Sequence, residues 1–437
     1  MNRVGTHFFV ATVLFFALPS IAMPNDQVPG APQTSPILIR GAVLHPVDSP
    51  VIVRGTILLE EGRITAIGKH IESPKGALII GAKGKHIYPG LIESYTDLGL
   101  REISAVDVTV DRSELGTRNP NVRSWVAVNP DSELIPVARA GGVLLAHVTP
   151  GGRFVQGQSA FMQMDGWTEK EMTLLAPSGL CVNWDAMQPR EKDSTKQAQQ
   201  RDEKWQEFDE WVEHAKRESL RQADAADSIS SDLRLEALMK VIRRDVPLVV
   251  SANRQSSIEA AVAYAASHKL RLIIYGGYDA QACAELLKHH DVPVLIAGTY
   301  RLPLRRDDPY DSAYTLPERL RRAGVRFAIG GEAPGYPGGA SNVRNLPYHA
   351  ACAVAYGLPR EHAVRSITLS PAEILGVADR VGSLSVGKDA TLIVADGDIL
   401  EPQTNVTAAW IQGRKVDLSS RHTMLFEKYK QKYQSGN

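Results

Sequence analysis

Four short apolar runs in the second half of the chain, PLVVSAN, RLIIYGG, PVLIAG and RFAIGG, are separated by stretches with helical spacing at 256–267, 279–290 and 316–323. Strands without polar alternation need cover on both faces. Strand–helix repetition supplies it through right-handed crossovers between parallel strands. An open doubly wound sheet and a closed barrel both satisfy the pattern. A fifth strand-like run, VLLAHVTPGG, lies further upstream.

The region from Ile37 to Ile87 reads differently. Its runs ILIRGAVL, IVRGTILLEEG, RITAIG and GALIIGAKG are short, rich in valine, isoleucine and leucine, and parted by turn residues, which describes a meander of strands. The same character returns after Gly382 in GSLSVGKDATLIVADGD and TAAWIQGRKV. The simplest architecture is therefore an α/β barrel over 89–381, inserted into a small β domain assembled from 37–88 plus 382–420. A charged stretch at 187–245 interrupts the barrel. Within it Trp205, Phe208, Trp211 or Val212, and Ala215 recur at helical spacing, an apolar stripe expected to pack on the barrel exterior.

With 437 residues, 43% of them hydrophobic, the chain can bury one large core and one small one. Lysine plus arginine equals aspartate plus glutamate at 49 each, so nothing suggests a nucleic-acid partner. Arg3, the apolar run from Phe8 to Leu18, and the small residues Ser20 and Ala22 read as a signal peptide over 1–22, cleaved after Ala22. Export to the periplasm or the exterior is expected. That run is shorter than the ~20 residues a bilayer span needs, and no later segment qualifies as transmembrane. Cys181, Cys283 and Cys352 lie far apart without a CxxC pair, which suggests neither a zinc knuckle nor a disulfide framework. Oligomeric state has no signature in the sequence.

The segments EEGRITAIG, AKGKHIYPGLIES and ITLSPAEILGVADRVGSLSVGKDATLIVADGD resemble the amidohydrolase superfamily, particularly its imidazolonepropionase-like members, over roughly Ile37 to Val416. The resemblance implies a distorted (β/α)8 TIM barrel inserted in a small β-sandwich domain built from both chain ends. It places the site at the C-terminal strand ends. The implied reaction is hydrolysis of C–N bonds, often cyclic amides. A divalent metal such as zinc lowers the pKa of a bound water and polarises the carbonyl. In the family strand 1 supplies His-x-His, strands 5 and 6 a histidine each, and strand 8 an aspartate.

Each of those positions departs from the pattern. Tyr95 and Asp97 stand where the two strand 1 histidines would be, preceded by Glu93. Strand 5 offers Ser251, followed by Asn253 and Arg254; strand 6 offers Tyr275 or Gly276; strand 8 offers Glu332. A phenol with a pKa of about 10 is a poor metal ligand. His147 stands at a possible rim position and reads as an ordinary hydrogen-bonded histidine. Glu93, Asp97 and Glu332 could form an all-oxygen site for calcium or magnesium, although Arg101, Arg254 and Arg301 are available as counter-ions. No metal ligand is assigned.

Two readings follow. In one the protein still hydrolyses a C–N bond, with Glu332 and Asp97 as its catalytic carboxylates and an unusual metal or none. In the other it is a non-catalytic descendant, a pseudoenzyme that holds a small molecule or a protein partner. Tyr95, Ser251, Asn253, Arg254 and Tyr275 would then contact a ligand bearing a carboxylate or amide. The glycine-rich PGGRFVQGQSAF, 150–161, lacks the Gly-Lys-Ser/Thr ending of a phosphate loop.

Overall fold

The computed structural model describes residues 27–187, 193–224, 232–335 and 338–434. The expected signal peptide lies outside the described residues. Eight strands form the larger sheet: β6 (Leu91–Thr96), β7 (Val143–Val148), β8 (Val155–Gln163), β9 (Thr173–Asn183), β10 (Leu248–Ala252), β11 (Leu272–Gly276), β12 (Val294–Ile296) and β13 (Phe327–Ile329), side by side in that order. Every residue of β6, β7, β8, β11 and β12 is buried, including the polar residues that β6 and β8 carry.

Seven of these strands run parallel, while β8 is antiparallel to both β7 and β9. The connection Thr149–Phe154 is too short to hold a crossover helix, so the chain turns straight back. This reversal is the barrel's main distortion. Counted from β6, the runs read as strands 5, 6 and 8 are β10, β11 and β13. The first and last strands are joined by a side chain: the buried Glu93 carboxylate of β6 accepts the Gly331 N–H at 2.9 and 3.1 Å. A Cβ at Gly331 would lie 2.7 Å from Glu93 Oε2, so a larger residue there would displace the Glu93 carboxyl.

The helices form at Gln255–Ser267, Ala284–His289 and Ser312–Ala323. The second starts later than its spacing predicts. Asp279 instead accepts the Gln255 N–H and pairs with Arg305, which holds 279–283 in turns.

The smaller sheet joins β1 (Ile37–Leu44), β2 (Ile52–Glu60), β3 (Arg63–Gly68), β4 (Leu78–Gly81) and β5 (His86–Pro89) to β14 (Leu392–Ala395), β15 (Val406–Ile411) and β16 (Arg414–Val416). Antiparallel pairing of β14 with β5 brings the two chain ends together. Ile39, Leu44, Ile57, Leu59, Leu392 and Trp410 make a second core there. From β5 the chain passes through Gly90 directly into β6, and a Cβ at Gly90 would meet Leu144 and Thr391 at 3.0 Å. Close approach of the two sheets fixes that glycine.

The charged stretch contains the long helix Ser194–Asp224. Its residues Phe208, Val212 and Ala215 are buried, and Trp205 meets Trp184 and Tyr264 with ring centroids 4.9 and 5.4 Å apart. The stripe packs on the barrel exterior as expected. Among the described residues no helix is long and apolar enough to cross a membrane.

Candidate functional site

The C-terminal end of β6 carries Tyr95 and leads directly to Asp97. Both are buried. Pairing of β10 with β11 sets Ser251 opposite Tyr275, and this register leaves Tyr275, not Gly276, in the strand 6 position. The Tyr275 ring lies flat on Tyr95, with centroids 3.6 Å apart and planes 10° from parallel. Burial raises both phenol pKa values well above the ordinary range, so neither ring offers a phenolate at neutral pH. The hydroxyls of Ser251 and Thr149 interact with the Tyr95 phenol.

Asp97 is engaged by cations. A turn closed by Leu100 N–H to the Asp97 carbonyl brings Arg101 back, and its Nε donates to Asp97 Oδ2 at 3.1 Å. Arg112 Nη1 lies 3.6 Å from the same oxygen. The second oxygen, Asp97 Oδ1, has no protein hydrogen-bond partner among the described residues, and neither do Ser94 Oγ and the Tyr275 hydroxyl. Arg301 and Tyr95 act on the Tyr275 phenol, and Arg301 Nη2 reaches Asn253 Oδ1 at 3.5 Å.

The other expected site residues are less closely gathered. Glu332 is half-buried in the loop after β13, where it accepts from Asn342 Nδ2 at 3.0 Å. Arg254 is exposed at the start of the helix Gln255–Ser267. The site therefore centres on Tyr95, Tyr275, Asp97 and Ser251. Arg112 had no signal in the sequence, because it reaches Asp97 from a long irregular loop. Burial pushes the Glu93 carboxyl up to about 8, which favours the neutral acid.

His147 is fully buried between β6 and β8. Its Nδ1–H donates to the Ser94 carbonyl at 2.9 Å, so Nε2 accepts from the Ser159 hydroxyl at 2.8 Å. Both ring nitrogens are used, and burial lowers the pKa to about 4. His349 stands differently. Its Nδ1 accepts the Thr299 and Tyr300 N–H groups at 3.1 and 3.3 Å, which places its proton on Nε2, and that atom has no hydrogen-bond partner among the described residues.

A zinc site needs imidazole, thiolate or carboxylate donors converging at about 2.0–2.3 Å. Here the family positions hold two stacked neutral phenols, a serine hydroxyl, the Asp97 carboxylate whose bonded oxygen faces two guanidinium groups, and the Glu332 carboxylate, which is bonded to Asn342. This donor set does not fit a divalent ion. Nor do Glu93, Asp97 and Glu332 converge as an oxygen cage. Among the described residues the group of three His, Cys, Asp or Glu with ligand atoms within 4.8 Å of one another is Asp209, Glu213 and His268, outside the barrel. There Lys216 Nζ already lies 2.6 Å from Glu213 and 2.7 Å from His268, as the cation of a closed network.

The amidohydrolase family model matches residues 171–416, more than half of the chain. The chain belongs to the amidohydrolase family. The family match begins beyond β6, so the strand end carrying Tyr95 and Asp97 lies outside it. An amidohydrolase named tasK, from Hapsidospora irregularis, is 24% identical over 394 residues, which cover 82% of this chain and 39% of the relative. The chain thus spans well under half of that relative's length. Among solved structures, an amidohydrolase from Thermotoga maritima is 26% identical with a TM-score of 0.76, covering 88% of this chain and 100% of its own. A putative prolidase from Bifidobacterium longum, 16% identical with a TM-score of 0.51, covers 91% of this chain and 100% of its own, and shares the fold.

Proposed function

We propose that this chain is an exported member of the amidohydrolase family that has exchanged metal-dependent hydrolysis for holding a small polar ligand at its strand ends. The observation that carries the reading is the replacement of the metal-binding donors. A tyrosine pair stacked at 3.6 Å takes two ligand positions, and Arg101 and Arg112 supply the positive charge facing Asp97. A divalent metal lowers the pKa of its bound water from 15.7 to about 7, whereas a lone carboxylate base contributes only about 10²- to 10⁴-fold. Ordinary amide hydrolysis without the metal would be too slow to matter.

The atoms left unpaired support a binding role. Asp97 Oδ1 can accept, the Tyr275 hydroxyl can donate, and Arg301 adds positive charge beside Tyr275. A ligand offering both a donor and an acceptor, such as an amide or an amino acid derivative, suits that set. The test is to offer the mature protein cyclic amides, dipeptides and N-acyl amino acids with zinc, manganese or magnesium. The reading expects saturable binding by calorimetry without turnover; chelator-sensitive turnover would overturn it. Glu332 motivates a second reading, a hydrolase using a carboxylate base, because its carboxylate accepts a hydrogen bond from the neutral Asn342. Turnover that survives chelation and disappears in Glu332→Gln would favour that alternative. Export would appear as a mature chain starting at Met23 in the periplasmic or culture fraction.

A further inference from the structure

We propose that a second pocket, away from the strand-end site, binds an organic anion with an apolar body. The cavity has a volume of about 410 Å³ and lies where the loop leaving β6, the β7–β8 connection, the segment after β9 and the helix Ser194–Asp224 meet. That volume is in the range of small-molecule sites. Tyr95, Asp97, Ser251 and Tyr275 do not line it, so the inference stands whether or not the strand ends bind anything.

The floor is apolar. Phe154, Met187 and Phe208 line it, and the two phenylalanine rings meet edge to face at 5.2 Å. Backbone hydrogen bonds hold the walls: Val155 N–H donates to Thr117 O, and Asn183 N–H donates to Phe154 O, each at 2.9 Å. A cavity tied down in this way is pre-formed, and binding does not have to order it.

Charge on the walls selects the ligand's sign. Arg118, Arg153 and Lys204 face one carboxylate, Glu207, and Arg118 already pairs with it. Lys204 Nζ donates to the Ala186 carbonyl at 2.8 Å, and it makes no ion pair with a carboxylate among the described residues. Arg153 is exposed at the mouth and has no carboxylate partner among the described residues. Two positive charges above an aromatic floor suit a carboxylate or sulfonate on a phenyl or branched alkyl group. Arg153 and Phe154 belong to the glycine-rich 150–161 segment, which thereby gains a role other than phosphate binding.

The test uses 4-phenylbutyrate and its neutral amide, titrated calorimetrically into the mature protein. The expected results are one saturable site for the acid and at least about tenfold weaker binding of the amide. Arg153→Glu should weaken the acid by a similar factor, and Met187→Trp, which fills the floor, should abolish it. Arg153 is exposed, so its variant remains informative if the Met187 variant fails to fold. Equal binding of acid and amide, no saturation at millimolar concentration, or an unaltered Arg153→Glu variant would overturn the proposal. Binding lost in Asp97→Ala but kept in Arg153→Glu would also overturn it, while supporting the strand-end site.

Discussion

Two buried polar clusters lie in the barrel, one around His147 of β7 and one between the end of β6 and β11, and they are built to different standards. Around His147, the Ser94 carbonyl and the Ser159 hydroxyl take both ring nitrogens, and Ser159 in turn lies 3.1 Å from Ser178. Around Asp97 and Tyr275, one carboxylate oxygen and one phenol hydroxyl have no protein partner among the described residues. An unpaired buried polar group costs about 1–3 kcal/mol. A closed cluster therefore repays its burial through the fold, whereas an open one costs stability and gains it back when a ligand binds. In the reading proposed above, His147 is structural and the strand-end positions are taken by tyrosine and by aspartate paired with arginine.

The contrast can be pressed from its strongest side. His147→Ala leaves a cavity and unpaired groups on two strands, and urea denaturation should show a loss of about 4 kcal/mol. A loss below about 1 kcal/mol would mean that the cluster is not structural. Asp97→Asn strips the counter-charge from Arg101 and Arg112. Because Arg112 is partly exposed, the expected cost is nearer 2–3 kcal/mol than the full penalty of a broken buried pair.

Glu93 gives a pH signature. Its carboxyl is raised from 4.5 to about 8 in the fold, so the folded state keeps a proton that the unfolded chain releases. The stability this contributes is complete below pH 4.5 and is lost as pH rises toward 8. His45, His147 and His349, lowered from 6.5 to about 4, act in the opposite direction as pH falls through 6.5, and they do so equally in the parent and in a Glu93 variant. Denaturation at pH 6.5 and at pH 8 should therefore show the parent losing about 2 kcal/mol that Glu93→Gln does not lose. The smallest effect belongs to Tyr275→Phe. It removes an unpartnered hydroxyl and keeps the stack, so stability should stay within about 0.5 kcal/mol while affinity for an amide ligand falls. A loss comparable to that of His147→Ala would show that the open cluster is closed after all.

Much of the fold was legible because it rests on period and composition. The alternating runs from Pro247 to Gly331 became β10 to β13 with their helices, and the runs at both chain ends became one sheet through β5 and β14. The reversed β8 was not legible, since nothing local separates a buried antiparallel strand from a buried parallel one; only the short Thr149–Phe154 link betrays it. At the site, the substitutions at 95, 97, 251 and 275 could be read from the motif, but their mutual geometry could not. The stacking of Tyr95 on Tyr275 depends on the β10–β11 register. Arg112 arrives from a loop with no periodicity, and Glu93 meets a glycine 238 positions away. Contacts of that sequence separation leave no pattern in the neighbourhood of either residue.

The claim that imidazole-based metal binding has been replaced by an arginine–aspartate pair and a tyrosine stack is tested most directly by elemental analysis. The mature protein should be produced in zinc-supplemented medium and purified without chelators. The account predicts transition metal far below one equivalent per chain, with Asp97→Asn no different. Zinc, manganese or iron at one equivalent or more, lost when Asp97 or Glu332 is replaced, would contradict it.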